Sequence, residues 1–109
     1  MVVSVKKTHE ELVDIVVEHC KSYDRVTRHQ YYKFLNLEGE LDVLAERDTS
    51  RGTFYHYYEV KTNHGEHAFD YAVHQFRRFK EMMRKQYGSA IADCCKGVYV
   101  ANDTVLRLK

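Results

Sequence analysis

The sequence is poor in the residues that break or cross-link a fold. It has no proline, five glycines and three cysteines in 109 residues. Because proline- and glycine-rich stretches are missing, we expect no linker and a single domain over residues 1–109. Three cysteines, two of them adjacent, do not make a disulfide framework, which favours a reducing environment.

Long apolar runs are missing as well. No stretch approaches the roughly 20 residues that a membrane-spanning helix needs. Residues 1–7 also lack the apolar core of a signal peptide. We therefore expect a cytoplasmic protein without a membrane partner, encoded by a cell, a virus or a phage.

The net charge is low, but the charges are unevenly distributed. The formal charge is +1, yet residues 1–50 contain seven Lys/Arg and ten Asp/Glu, whereas residues 51–109 contain ten and six. An acidic half beside a basic half fits a metal-dependent enzyme that acts on a polyanion. Solvated helix faces explain the same pattern equally well.

Hydrophobic periodicity predicts the element order αβββαββ, a mixed β-sheet flanked by helices in the α/β (α+β) class. Thr8 and Glu11 fit a capping box at the start of the first helix. An apolar face predicts a second, long helix over residues 66–87. Strands are expected over residues 26–34, 41–45, 53–61, 97–101 and 104–108.

A turn-forming stretch over residues 48–52 predicts a β-hairpin in the middle of the chain. With the midpoint of the hairpin between residues 50 and 51, Asp42 faces Glu59. Lys61 shares a face with Glu59 because strand side chains alternate. Such a group either binds a divalent cation such as Mg²⁺ or forms a structural cross-strand network on a solvated face.

Two segments carry a resemblance to a known family. GELDVLA over residues 39–45 and YEVKT over residues 58–62 resemble the core of the PD-(D/E)XK nucleases. The likeness is to the small archaeal and phage Holliday junction resolvases. The expected element order matches their core over roughly residues 8–101. Leu41 stands where the name-giving proline of the motif would be.

The resemblance implies a restriction-endonuclease-like core and a divalent-metal-dependent nuclease that hydrolyses DNA phosphodiester bonds. By this resemblance, Asp42, Glu59 and the backbone carbonyl of Val60 are ligands of Mg²⁺ or Mn²⁺. Lys61 is the catalytic lysine by the same resemblance.

Two further site positions follow from the resemblance. Resolvases carry a glutamate on the first helix near the metal, and the matching position here is His9, with Glu10 as the neighbouring candidate. Many relatives also have a glutamine on the long helix that touches the site. Gln75 flanks the apolar face as such a residue would, or is a polar residue at the boundary of that face.

Basic and aromatic residues supply candidate contacts to nucleic acid. Arg78 and Lys85 share a side of the long helix and could contact backbone phosphates, as could Lys6 and Lys7. Several tyrosines are expected either to stack on unpaired bases or to pack beneath the long helix. They are Tyr31, Tyr32, Tyr55, Tyr57 and Tyr58.

The resemblance favours branched or junction DNA as the substrate and a homodimer with two sites as the assembly. Two alternatives stay open. The chain is either a catalytically inactive nuclease-like module that binds nucleic acid, or a catalytic subunit that a partner protein directs to its target.

Overall fold

Two helices lie on opposite faces of a five-stranded mixed sheet in the computed structural model, which describes residues 6–109. The fold is α+β, and the sheet order is β1-β2-β3-β4-β5. The elements are α1 (His9–His19), β1 (Arg25–Phe34), β2 (Leu37–Thr49), β3 (Gly52–Val60), α2 (Ala68–Tyr87), α3 (Ser89–Asp93), β4 (Lys96–Val100) and β5 (Val105–Leu108). The short helix α3 is absent from the predicted order.

Local signals mark the start of α1 and the end of α2. The predicted capping box of α1 is confirmed, since Thr8 Oγ1 accepts from the Glu11 amide at 3.2 Å and the Thr8 amide donates to Glu11 Oε1 at 3.0 Å. Helix α2 starts at Ala68, two residues later than predicted, and no side chain caps it. Gly88 ends α2 with φ of 98°, a conformation that glycine adopts without strain.

The sheet combines antiparallel and parallel pairs. Strands β1, β2 and β3 pair antiparallel, β3 and β4 pair parallel, and β4 and β5 pair antiparallel. A parallel pair needs a long crossover, which α2 and α3 provide. The hairpin register agrees with the prediction, because Val43 lies opposite Tyr58 and Thr49 lies opposite Gly52.

Each face of the sheet has its own apolar cluster. Under α2, the side chains of Phe76 and Phe79 pack on Tyr57, with ring centroids 5.6 Å apart in both pairs. Under α1, Val13 and Val60 are fully buried in a second cluster. Burial of these two apolar clusters holds α1 and α2 against opposite faces of the sheet. The ends of β2 and β3 are therefore held between the two helices.

Strand β2 is interrupted at Asp42. The β1–β2 register pairs Arg28 with Val43 and Gln30 with Leu41 but skips the intervening residues, His29 and Asp42. His29 has φ of 54°, a left-handed conformation that is costly for a residue other than glycine. The β2–β3 pairing ends at Val43. Asp42 therefore lies outside both ladders.

No helix within residues 6–109 is long and apolar enough to cross a membrane.

Candidate active site

Glu59 is the one buried charged side chain among residues 6–109, with 6% of its surface exposed. It lies one residue before the end of β3, and its Oε2 accepts a hydrogen bond from the Tyr57 hydroxyl. The Lys61 ammonium nitrogen lies 3.3 Å from Glu59 Oε1. The carboxylate is thus fixed on one side by a neutral donor and paired on the other with a cation.

Burial dominates the electrostatics of Glu59. Desolvation raises the pKa of its carboxyl above the usual range, and the charge of Asp42 raises it further. The hydrogen bond from Tyr57 and the charge of Lys61 oppose that shift without cancelling it. Burial, and then the charge of Glu59, also raise the pKa of the Tyr57 hydroxyl. Lys61 and Tyr57 compensate the charge of ionised Glu59 only in part, and a bound cation would offset the remainder.

Asp42 reaches the end of β3 through the backbone. Its Oδ2 accepts a hydrogen bond from the Val60 amide at 2.8 Å, and its side chain is 17% exposed. The predicted pairing of Asp42 with Glu59 lies one residue beyond the last paired residues of the two strands. Because the strands are unpaired there, the Asp42 side chain takes the place of a ladder hydrogen bond.

His9 is the first residue of α1 and contacts two of the expected metal ligands. Its Nε2 lies 3.1 Å from the Val60 carbonyl oxygen and 3.5 Å from Asp42 Oδ1. A carbonyl oxygen only accepts hydrogen bonds, so His9 Nε2 carries a hydrogen in this arrangement. The position that matches the first-helix glutamate of the resolvases is therefore part of the site.

Glu10 is farther from the candidate metal ligands. Its side chain is 60% exposed, and its Oε1 lies 2.9 Å from His29 Nε2 and 3.7 Å from His9 Nδ1. The rings of His9 and His29 stack with centroids 6.2 Å apart. Glu10 thus connects to Asp42 through His9, and the strained His29 holds the start of α1 in place.

The other predicted residues lie outside this group. Gln75 is half-buried on α2, and no hydrogen bond of its side chain is found within residues 6–109. Arg78 donates to His74 at 3.4 Å. Lys85 is exposed. Neither of these basic residues hydrogen-bonds to the candidate active site in the described part of the chain.

Lys6 and Lys7 lie before α1, on the side where β3 and β4 end. Lys6 Nζ donates to Asn63 Oδ1 at 3.3 Å, and the Lys7 amide donates to Asn102 Oδ1 at 2.7 Å. Both lysine side chains are exposed. They are available to an anion that approaches this end of the sheet.

Two tyrosines at the site have roles that the sequence analysis does not give them. Tyr57 packs beneath α2, which confirms one of the two alternatives predicted for it, and its hydroxyl in addition binds Glu59. The two-residue spacing on a strand is a signal that could have indicated this contact. Tyr71, on α2, has its ring centroid 5.0 Å from Lys61 Nζ, a cation–π distance. No signal in the sequence joins Tyr71 to Lys61, because the loop before α2 decides their approach.

No group of three or more His, Cys, Asp or Glu side chains suited to a metal ion occurs within residues 6–109. No protein-family model, no curated protein and no solved structure matches the chain. The kinship with PD-(D/E)XK nucleases therefore stays a prediction made from the two short segments.

Proposed function

We propose that the protein is a divalent-metal-dependent nuclease that hydrolyses DNA phosphodiester bonds. The observation that carries this proposal is the buried Glu59, which is 6% exposed and lies 3.3 Å from the Lys61 ammonium nitrogen. Burying a carboxylate costs free energy that apolar packing would not. A catalytic role is a reason for a fold to keep such a group.

The donor atoms suit a hard cation. The Asp42 and Glu59 carboxylates and the Val60 carbonyl are oxygen ligands, which Mg²⁺ and Mn²⁺ prefer. Proteins often supply Mg²⁺ with one or two carboxylates and leave its other positions to waters and substrate phosphates. Two carboxylates and a carbonyl therefore fit, although the cation would replace the hydrogen bond of His9 to the Val60 carbonyl and its contact with Asp42. When bound, the cation lowers the pKa of a water and offsets charge on the phosphate.

The residues of the chain have separate tasks in this proposal. Lys61 orients the attacking water and stabilises the negative charge that develops on the phosphate oxygens. Tyr57 holds the Glu59 carboxylate in one orientation through its hydroxyl. Tyr71, with its ring centroid 5.0 Å from Lys61 Nζ, restricts where the ammonium can move.

The finer assignment rests on the resemblance. We propose a restriction-endonuclease-like core, a preference for branched or junction DNA, and a homodimer. A two-fold dimer brings two sites to one DNA molecule, as paired cuts across a junction require. The proposed setting is intracellular.

A catalytically inactive module that binds nucleic acid is the second candidate. The observation in its favour is His9, which stands in place of the glutamate and hydrogen-bonds to the Val60 carbonyl. The third candidate is a catalytic subunit that a partner protein directs to its target. It would have the same active site and differ only in needing the partner.

The test is a cleavage panel with labelled four-way junction, duplex, flap and single-stranded DNA, in Mg²⁺ and in Mn²⁺. We expect metal-dependent cutting that Glu59→Ala and Lys61→Ala each abolish, with the four-way junction cut best. Uncut DNA in every lane, with tight binding that neither substitution changes, would reject catalysis and favour the binding module. Cutting of all four substrates at similar rates would reject the structure preference alone.

A further inference from the structure

A cavity of about 600 Å³ lies beside the candidate active site, at the end of the sheet where β3 and β4 stop. Its walls come from Lys6 and Lys7, from α1, from residues 62–64 after β3, and from residues 101–103 after β4. Strands β3 and β4 are the parallel pair. Ligands of α/β sheets bind in the crevice outside the carboxyl ends of parallel strands. Residues 62–64 directly follow Lys61 in the chain, so one wall of the cavity continues from the proposed catalytic lysine.

Asn102 holds three walls of this cavity together. Its Oδ1 accepts from the Lys7 amide at 2.7 Å, and its Nδ2 donates to the carbonyl oxygens of Lys7 and Thr62, both at 2.9 Å. These bonds tie the segment before α1 to the loop after β3 and to the β4–β5 turn. The cavity is therefore built into the fold by the chain itself.

The lining of the cavity is partly basic and partly apolar. It contains two lysines, Lys6 and Lys7, and one acidic residue, Asp103, so it carries a net positive charge. The apolar lining includes Ile15, which is 48% exposed, and Val105, which is 69% exposed. A volume of this size suits a small ligand, since such sites typically enclose about 300–1,000 Å³. A nucleotide has the matching parts, an anionic phosphate and a flat apolar base.

We propose that this cavity binds one unpaired nucleotide of the DNA strand that the active site cuts. Lys6 and Lys7 contact its phosphate, and Ile15 and Val105 contact its base. The inference rests on the proposed nuclease function for its strand, but nucleotide binding needs no cleavage. A paired base cannot enter, so the strand must be unpaired locally beside the cut, and a branch point, where the stacked duplex is already interrupted, makes that unpairing easiest.

The absence of tryptophan from the sequence allows a direct probe. We would introduce Ile15→Trp into the Glu59→Ala protein and titrate it, in EDTA, with an oligothymidylate of about five nucleotides and with a matched duplex. Because bases stack on indole, we expect saturable quenching by the single strand and at least roughly tenfold weaker binding of the duplex. Circular dichroism checks the fold of the variant.

Two controls locate the signal. Leu35→Trp places the reporter at an exposed residue between β1 and β2, and we expect no saturable quenching there. Replacing Lys6 and Lys7 with alanine in the Ile15→Trp protein should weaken single-strand binding by roughly tenfold at low salt. If Ile15→Trp disturbs the fold, an oligonucleotide with 2-aminopurine reports the same binding to the protein that keeps Ile15.

The outcomes separate the two proposals. Quenching at position 15, together with uncut DNA in every lane of the cleavage panel, would support the cavity and reject the nuclease. Cleavage by the wild-type protein without quenching at position 15 would overturn the cavity. Equal quenching at positions 15 and 35 would overturn it as well. So would an indole emission from the Ile15→Trp protein that is already shielded from acrylamide and does not respond to DNA.

Discussion

The two ends of the β2–β3 hairpin shift the pKa of a carboxyl group in opposite directions. At the turn, Asp48 is exposed and accepts two hydrogen bonds from Arg25, at 2.8 and 2.5 Å, and one from Thr53 at 2.9 Å. The arginine lowers the pKa of the Asp48 carboxyl to about 2. At the open end, burial raises the pKa of Glu59 above the usual range.

The difference is one of hydration and geometry. Asp48 meets a two-pronged guanidinium in water, where ionisation costs little and the pairing favours the charge. Glu59 meets a hydroxyl and one ammonium in a water-poor site, where those contacts do not replace the lost hydration. Asp48 stabilises the turn, whereas the buried Glu59 carboxylate lowers the stability of the fold. An acid of the second kind is typical of functional sites, which is why we propose that the open end of the hairpin is the functional one.

The largest expected contrast is in activity. Glu59→Gln should lower metal-dependent cleavage by more than about 100-fold, because it removes the charge of a proposed direct ligand, and the loss of a supporting residue alone costs about 10- to 100-fold. Asp48→Asn is the matched change at the other end and should leave the rate unchanged. Initial rates on four-way junction DNA at saturating Mg²⁺ measure both. Equal losses from the two substitutions would mean that the ends do not differ in function.

Tyr57→Phe tests the same contrast between Glu59 and Asp48 through the residue that orients the Glu59 carboxylate. Without the Tyr57 hydroxyl, Glu59 loses the contact that orients it, and its pKa rises further. We expect metal affinity to fall by roughly 10- to 100-fold. Tyr58→Phe, on the same strand but in the cluster under α1, is the control. Calorimetric titration with Mn²⁺ measures the affinity, and an unchanged value for Tyr57→Phe would remove Tyr57 from the proposed mechanism.

Ionisation should stabilise the fold at the turn end of the hairpin, through Asp48, and destabilise it at the open end, through Glu59. The folded pKa of Asp48, about 2, lies below its usual 3.8, so its stabilisation is present above that usual value and is lost as the pH falls toward 2. The folded pKa of Glu59 lies above its usual 4.5, so ionisation of Glu59 costs stability as the pH rises through the folded value.

Thermal melts of matched variants test this sign. At neutral pH we expect Asp48→Asn to lower Tm and Glu59→Gln to keep or raise it. The effect of Glu59→Gln should fade in acid, where the wild-type carboxyl is protonated. A neutral-pH Tm that falls in both variants would show that the Glu59 carboxylate stabilises the fold as Asp48 does.

The smallest expected effect is at His9. His9→Glu adds a third carboxylate next to Asp42 and Val60, so metal affinity should rise by roughly three- to tenfold. His19→Glu, at the other end of α1, has no such neighbour and is the control. The same Mn²⁺ titration reads out both. An affinity that falls in His9→Glu would mean that the imidazole suits the site better than the carboxylate.

Spacing along the sequence predicts the turn end of the β2–β3 hairpin but only part of its open end, where the candidate site lies. The capping box at Thr8 and the register about the turn follow from spacing along the chain, and both agree with the structure. The interruption at Asp42 does not follow from spacing, since it needs the left-handed His29 on the neighbouring strand. The strict alternation expected for a strand would place Leu41 with Val43, yet Leu41 packs in the α2 cluster.

The long-range contacts of the site are the least accessible to prediction. His9 is one of two candidates on the first helix, and its contact with Val60 depends on how α1 docks across a separation of 51 residues. Glu10 is the other, and packing turns its carboxylate to His29 instead. Such outcomes depend on tertiary packing, which helix periodicity alone does not determine.

The hydrogen bonds of the Asn102 side chain also bear on the order in which the parts of the chain fold. Its bonds to Lys7 join residues 95 positions apart, so they close a loop that contains nearly all of the sheet. The entropic cost of closing a loop grows with the length of the loop, so shorter loops close first. We therefore expect the segment before α1 to dock after the strands have assembled, so that the cavity wall with Lys6 and Lys7 is completed last.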